Sequence, residues 1–382
     1  MDGNRVNDPP PQIVQGGAQR IVSYLRDKVP PVPPLPARKW KAAQLEQTTG
    51  PLKFKVITYN VLAESYATEE QHPYTPAQVL QWDSRKFKIL EQILESGADL
   101  ICLQEVEQRQ FQHFFVPQLQ KRGFEGIHKL KTRAKTMNDP SSVDGCSIFF
   151  RTSKFRLEQK IELEYQSLAI HNNIPTGPGL DRTIRRDNIA LVAVLQIVAE
   201  KGRSKSPARR IILCNTHIHW DPSEADVKLM QVQFMLRELD NITQQKNENN
   251  MPLLIAGDFN SEPSNAVYSL LNSGKVDPTH RDWNGTNYGT FSRDGCSHRF
   301  KLKNCFDGIC QPEFTNFNGD FMGVLDYIWY TSDSIRVVGV SETPSKEEIL
   351  TQKSPLPNTN YPSDHIYLLA EFEVLSNKRR GN

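Results

Sequence analysis

The sequence has no run of the roughly 18 consecutive apolar residues that a helix needs to cross a bilayer, so no membrane partner is expected. Cysteine is sparse. Its six copies stand at Cys102, Cys146, Cys214, Cys296, Cys305 and Cys310, and the last three lack the paired CxxC spacing of a structural zinc site. Cys102 and Cys214 lie inside apolar runs (DLICLQE and IILCNTH) and read as small core residues with free thiols. Neither sign of charge dominates: 46 Lys and Arg against 44 Asp and Glu leave a net charge of +2. That balance neither demands nor excludes a polyanionic partner, because a local basic rim can serve a neutral body. The opening MDGNRVNDPPPQ has the marks of neither a secretory signal nor an Arg-rich transit segment. These absences point to a reducing compartment, the cytoplasm first and the nucleus second. The Asn-X-Thr sequons at Asn241 and Asn284 carry no weight there.

Proline is plentiful at one end. PPPQ and VPPVPPLPARKW mark residues 1–50 as a flexible leader, since such stretches favour extended polyproline over packing. From Lys53 the texture changes to short apolar runs rich in β-branched residues: FKVITYN, DLICLQE, CSIFFRT, IALVAVLQIV, RIILCNTHIH, PLLIAGDFN, VLDYIWY and IYLLAEFEV. Their lengths predict strands. QVLQWDSRKFKILEQILESG predicts a helix with Leu80, Phe87, Leu90 and Leu94 on one face and Gly97 at its stop. DPSEADVKLMQVQFMLREL predicts another, with Ser223 and Asp226 at capping-box spacing and Val227, Met230 and Phe234 repeating behind them. Many strands and few helices imply an α/β sandwich of two sheets. One domain is expected over residues 51–376, with a basic tail at 377–382. KGRSKSPARR, at 201–210, reads as a solvated hairpin loop.

Chemistry-bearing side chains collect at the strand ends. Asn60 closes VITYN, and Gln104 and Glu105 close LICLQE. Asn215, His217 and His219 end LCNTHIH, while Asp258 and Asn260 end IAGDFN. Asp326 opens DYIWY, and Asp364 and His365 stand just before a strand. Period-2 geometry would point Asp258 and Asn260 one way and Phe259 into the core. Each residue alone is an ordinary strand terminus. Together, carboxylates and carboxamides without thiolates are hard oxygen ligands suited to Mg²⁺ or Mn²⁺. Histidines add proton donors and acceptors. The residue types point to metal-assisted hydrolysis of a phosphoester.

The ordered set ITYNVLAESYA, DLICLQEVE, DGCSIFF, LCNTHIHWDP, LLIAGDFNSEP, VLDYIWY and YPSDH resembles the endonuclease/exonuclease/phosphatase superfamily over roughly residues 53–374. NTHIHWDPSEADVKLMQ, RAKTMNDPSSVDGCSIFFRT and RRDNIALVAVL are most similar to the deadenylases of the carbon catabolite repressor type, with nocturnin and the angel proteins as relatives. The resemblance implies a four-layer α/β sandwich, two mixed β-sheets face to face with helices outside. It implies a Mg²⁺-dependent 3′–5′ exoribonuclease that shortens poly(A) tails of mRNA and releases adenosine monophosphate. Glu105 would be the central metal ligand, with Asn60 and Asp326. Asp258 would deprotonate the attacking water, with Asn260 holding water or phosphate in line. His365, oriented by Asp364, would contact the scissile phosphate, and His217 would stabilise the transition state. Phe321 and Pro222 would sandwich the adenine, with Asn215 also on the substrate side, and Lys131, Arg133 and Lys135 could meet backbone phosphate. Trp220 is expected to be structural. Deadenylases of the large complex carry leucine-rich repeats ahead of the nuclease; none is present here, so other deadenylation factors would dock by another means.

Two readings compete. A nocturnin-like dinucleotide 2′-phosphatase or a 2′-phosphodiesterase would share the same metal and water machinery. An inactive binding scaffold would show damage at the matched positions, and none is found there.

Overall fold

A computed structural model describes residues 9–18, 20, 21, 24, 37–44, 52–172, 174–198, 209–246, 251–351 and 354–375. The chain divides into two compact units, Met1–Ala37 and Arg38–Asn382. Within the first, a short helix spans Pro11–Gln15, its proline at the helix start where a missing N–H costs nothing. The loop at 201–208 and the tail at 377–382 lie outside the described residues.

The larger unit contains strands β1 (Trp40–Ala42), β2 (Lys53–Asn60), β3 (Leu100–Glu107), β4 (Phe124–Leu130), β5 (Asp144–Arg151) and β6 (Phe155–Glu164). They continue with β7 (Ile189–Ile197), β8 (Arg210–His217), β9 (Leu253–Asp258), β10 (Lys275–Val276), β11 (Cys296–Ser297) and β12 (Leu302–Asn304). The last are β13 (Asn316–Phe317), β14 (Met322–Gly323), β15 (Asp326–Thr331), β16 (Ile335–Ser341) and β17 (Leu368–Val374). Seven strands form one sheet in the order β1-β16-β17-β2-β3-β5-β4, and six form another, β12-β15-β9-β8-β7-β6. Each is mixed: β2 runs parallel to β3, and β8 parallel to β9, while their other pairs are antiparallel.

The central strands are apolar on both faces, so alternation sorts their side chains into layers. Leu100 and Cys102 of β3 pack between the sheets with Leu213 of β8 and Leu254 and Ala256 of β9. Ile101 and Leu103 point outward against Ile89 and Ile93 of the helix Trp82–Glu95. Ile212, Cys214 and Ile255 point outward against Met230 and Phe234 of the helix Ala225–Gln245. Helix, sheet, sheet, helix: the expected four layers are present. Burial of each such aliphatic chain contributes about 1.5–3 kcal/mol, which keeps the sheets in register where the loops need fixed supports.

Three local expectations are corrected. Strand β1 pairs with β16, with Trp40 opposite Ser341, so the body begins ahead of residue 50. Phe87 is 59% exposed and packs edge-on against Phe114, because Arg85, Ile89 and Ile93 at four-residue spacing own the buried face. Gly97 does end that helix, at φ 64°. Ser223 and Asp226 form no capping box. Asp221 Oδ1 accepts from the Ser223 N–H at 2.8 Å, and buried Asp226 instead accepts from Arg182 and Tyr288.

Candidate active site

Two pairs of parallel strands deliver the site. The C-terminal ends of β2 and β3 from one sheet and of β8 and β9 from the other open on one rim, where β15 begins opposite Asp258. A cavity of about 690 Å³ sits there, lined by Glu105, Asp258, Asn260, His217, Asp364, His365, Phe321 and Pro222. Eight positions scattered over 261 residues of sequence thus share one wall. Asn60 and Asp326 lie just behind it, buried.

Backbone strain gathers at the same place. Four non-glycine residues among those described have positive φ, and three of them, Leu62, Glu105 and Asn260, line this cavity. Such conformations persist only where surrounding structure over-determines them. At Glu105 the ladder between β3 and β5 shifts register between Leu103 and Val106, which turns the carboxylate out of the sheet. At Leu62 the support is Arg85, fully buried, which donates to the carbonyl oxygens of Val61, Leu62 and Pro362. That guanidinium ties the loop after Asn60 to the loop before His365. Gly257 has no room for a side chain, since a Cβ would fall 2.0 Å from Thr216 O. Close approach of β8 and β9 therefore requires glycine in GDFN.

The turn after β9 differs in mechanism from the period-2 expectation. Asn260 adopts φ 42°, held by its own N–H to Asp258 Oδ1 at 2.9 Å and by its side-chain amide to Ile218 O at 3.2 Å. Phe259 does enter the core, with no exposure. Asp258 and Asn260 share the cavity through an Asx turn rather than through strand alternation.

Around Asp258 the polar groups converge. Asn60 Nδ2 donates to Asp258 Oδ2 and to Glu105 Oε1, each at 3.0 Å. His217 Nε2 and His365 Nε2 stand 3.5 and 3.6 Å from Asp258 Oδ2. His365 Nδ1 donates to Asp326 Oδ2 at 2.8 Å. The two histidines are electrically unlike. Burial opposes a charge on His365, yet Asp326, Asp258 and Asp364 outweigh it and keep the ring protonated well above its ordinary range. Burial prevails at His217, pulling it down to about 4 despite Asp258. One imidazolium and one neutral imidazole flank the same carboxylate. At Glu105, burial first and then the charges of Asp364 and Asp144 push the carboxyl up to about 7.

Several expected roles change in this geometry. Asp364 does not orient His365; Asp326 does, and Asp364 Oδ2 instead accepts from Asn316 Nδ2 at 3.2 Å. Asn60 turns its amide nitrogen to the two carboxylates, tying them together, and its oxygen to the Leu62 N–H at 3.1 Å. Asn215 is not on the substrate side. It is fully buried between the sheets, donating to Leu103 O and Ser147 O and accepting from Gln104 Nε2. Trp220 is 69% exposed at the cavity rim, which removes the expected structural role. Lys131 lines the cavity but pairs with Asp144 at 2.8 Å, Arg133 pairs with Asp144 and Asp187, and Lys135 pairs with Glu164. Those cations are already engaged.

Lys228 is the residue that sequence reasoning missed. It is 5% exposed, lines the cavity, and donates from Nζ to Asn260 O at 2.7 Å, while burial draws its ammonium down to about 8. The signal for it was a lysine one position from Val227 and two from Met230, on the apolar face of its helix.

The comparisons decide the family. The model of the endonuclease/exonuclease/phosphatase family matches residues 57–365. The chain belongs to this family. It is 34% identical to the CCR4-Not complex 3′-5′-exoribonuclease subunit Ccr4 of Schizosaccharomyces pombe, over 99% of this chain and 61% of that protein. The corresponding subunit of Saccharomyces cerevisiae is 36% identical over 93% of this chain and 45% of its own length. This chain thus spans about half to three fifths of these relatives. Among solved structures, ANGEL2, described as a 2′,3′-cyclic phosphatase, is similar with a TM-score of 0.71 at 26% identity, covering 89% of this chain and 99% of that one. The human nocturnin catalytic domain shares the fold, with a TM-score of 0.58 at 24% identity over 85% and 94% of the two chains.

Nucleases of this family use divalent metals, and the residues here fit one. Asp326 Oδ1 is buried without a hydrogen-bond partner. Glu105 carries a carboxyl that its neighbours leave undercompensated. Asp258, Asp326 and His365 offer atoms within 4.8 Å of one another, but both His365 nitrogens already face carboxylates, Nδ1 at Asp326 and Nε2 at Asp258. Glu105 and Asp326, hard oxygen donors, are the better pair.

Proposed function

We infer that this chain is a Mg²⁺-dependent 3′–5′ exoribonuclease that removes adenosines from poly(A) tails and releases 5′-AMP, acting beside other deadenylation factors in the cytoplasm, with the nucleus as a second location. The observation that carries the reading is the convergence of Glu105, Asp258, Asn260 and His365 with Phe321 and Pro222 on one cavity wall, in a chain similar over nearly its whole length to subunits named as 3′-5′-exoribonucleases. Catalytic groups and a slot for a flat base then serve one nucleotide.

The residues divide the work as follows. Asp258 Oδ2, steadied by Asn60, accepts a proton from water as the oxygen attacks the terminal phosphodiester. Asn260 orients that water or a phosphoryl oxygen. His365 and His217 face the charge that grows on the phosphoryl oxygens and on the preceding O3′ as its bond to phosphorus breaks, and that oxygen leaves as a hydroxyl by taking a proton from His365 or solvent. Phe321 and Pro222 hold the adenine, stacking being worth about 1–3 kcal/mol per base. A divalent cation, Mg²⁺ with Mn²⁺ as substitute, held by Glu105 and Asp326 would supply charge neutralisation at the phosphoryl oxygens.

The test uses a 5′-labelled RNA ending in a run of adenosines and a control ending in mixed sequence, each with Mg²⁺ and with EDTA. Glu105→Ala protein serves as the blank. A ladder that shortens from the 3′ end and slows where adenosines stop supports the reading. Loss of both substrates' cleavage in wild type overturns it. The similarity to ANGEL2 makes an RNA with a 2′,3′-cyclic phosphate end the next substrate, followed by dinucleotide 2′-phosphates and 2′–5′ oligoadenylate.

A further inference from the structure

Glu262 brings an exposed carboxylate into the same cavity lining as Phe321. A negative group beside a phosphate-binding groove repels nucleic acid unless it meets a hydrogen-bond donor.

Gly323 locates that carboxylate. A Cβ there would stand 2.5 Å from Phe321 Cζ and 3.0 Å from Glu262 Oε1, so the ring edge and the oxygen share one small volume over bare backbone. The Glu262 N–H donates to Asn265 Oδ1 at 2.8 Å, which anchors the residue's backbone. Among the described residues no hydrogen bond or ion pair engages its side-chain oxygens. The acceptor is fixed at its root and open at its tip.

We propose that Glu262 is a specificity-determining residue that accepts a hydrogen bond from the exocyclic amine of the terminal base while Phe321 takes the ring face. The inference rests on the deadenylase reading and deepens it by naming the base chemistry selected. In a pose set by the ring slot and the scissile phosphate, adenine brings a 6-amino group to this place and cytosine a 4-amino group. Guanine and uracil bring a carbonyl oxygen, which a carboxylate repels. A site that must receive an N–H rejects the analogue lacking it far better than an apolar pocket rejects a change of size. The larger stacking area of a purine then ranks adenine above cytosine.

The test is the ratio of kcat/KM among four RNAs identical except for a 3′ end of three A, C, G or U, for wild type and Glu262→Gln. A carboxamide can turn either an N–H or an oxygen to the base. Glu262→Gln is therefore expected to lower the A-to-G and A-to-U ratios by about tenfold or more, chiefly because G and U ends are cut faster. Calorimetric binding of 5′-AMP, 5′-CMP, 5′-GMP and 5′-UMP reads the same selectivity without turnover, so a poorly active variant remains informative. Both sets of ratios unmoved in Glu262→Gln would overturn the proposal. A wild type that shortens all four ends equally would overturn the adenine reading of the whole site instead.

Discussion

His365 Nδ1 donates to Asp326 Oδ2 at 2.8 Å, Asp326 opening β15 of the six-stranded sheet and His365 standing in the loop just ahead of β17 of the seven-stranded one. The bond orients the ring and, with Asp258 behind it, keeps the imidazole charged. Asp326→Asn is expected to lower kcat on an oligoadenylate by about 10- to 100-fold, the usual cost of losing an orienting partner. Asp364→Asn should cost less. Steady-state kinetics of the two variants decide between them, and a larger loss at Asp364 would reverse the assignment.

Lys228 holds the carbonyl of strained Asn260 at 2.7 Å. Lys228→Met should lower kcat about tenfold or more with a smaller change in KM, because positioning acts on the transition state. Lys228→Arg should recover part of the loss. A variant whose KM alone rises would mean that Lys228 binds substrate and does not position Asn260.

Metal binding is separable from turnover. Adding Mg²⁺ to EDTA-treated protein should raise the melting temperature through linkage to the native state. In Glu105→Gln that rise should shrink or vanish, since a neutral carboxamide replaces the charged ligand. An undiminished rise would place the cation elsewhere.

Asn215 bridges the sheets, so its loss should appear in stability. Asn215→Ala removes the hydrogen bonds to Leu103 O, Ser147 O and Gln104 Nε2, at a cost of about 1–3 kcal/mol. Urea midpoints should show it. A Phe321→Ala comparison should show the opposite pattern, a raised KM on oligoadenylate with little change in the midpoint.

Acid stability has a defined origin. Burial pulls His128 down to about 3, and the ring stacks on Phe111 and bonds Ser147 Oγ at 2.9 Å. Below the ordinary histidine range the unfolded chain takes up the proton that the native ring refuses. The contribution is therefore complete above about pH 6.5 and is lost as pH falls, by up to about 1.4 kcal/mol per pH unit. His128→Asn should flatten the fall in urea midpoint between pH 7 and 5, with His217 accounting for part of what remains. An unchanged slope would remove His128 from the account.

Much of this was legible beforehand, for a physical reason. All eight apolar runs expected as strands are strands, because a segment buried on both faces must be continuously apolar. The longer strands that were missed, β4, β6 and β16, are less regular: Phe155–Glu164 reads FRLEQKIELE, with one polar face in solvent. Among side chains, those at strand ends were visible because carboxylates, carboxamides and histidines recur together there, although each alone is an ordinary strand terminus. Lys228 was hidden, since a lysine within a helix usually faces water.

The amino-acid order by itself determined the layers, the strand runs and the polar set at their ends, since alternation and local composition operate over neighbouring residues. Pairing was decided only in three dimensions. The residue beside His365 in sequence is Asp364, but the one bonded to its ring is Asp326, 39 positions away. Likewise Asn215 has the chemistry of a substrate ligand and the location of a structural bridge. Hydrogen bonds form where sheet packing and loop strain bring atoms together, and only the folded chain sets those distances.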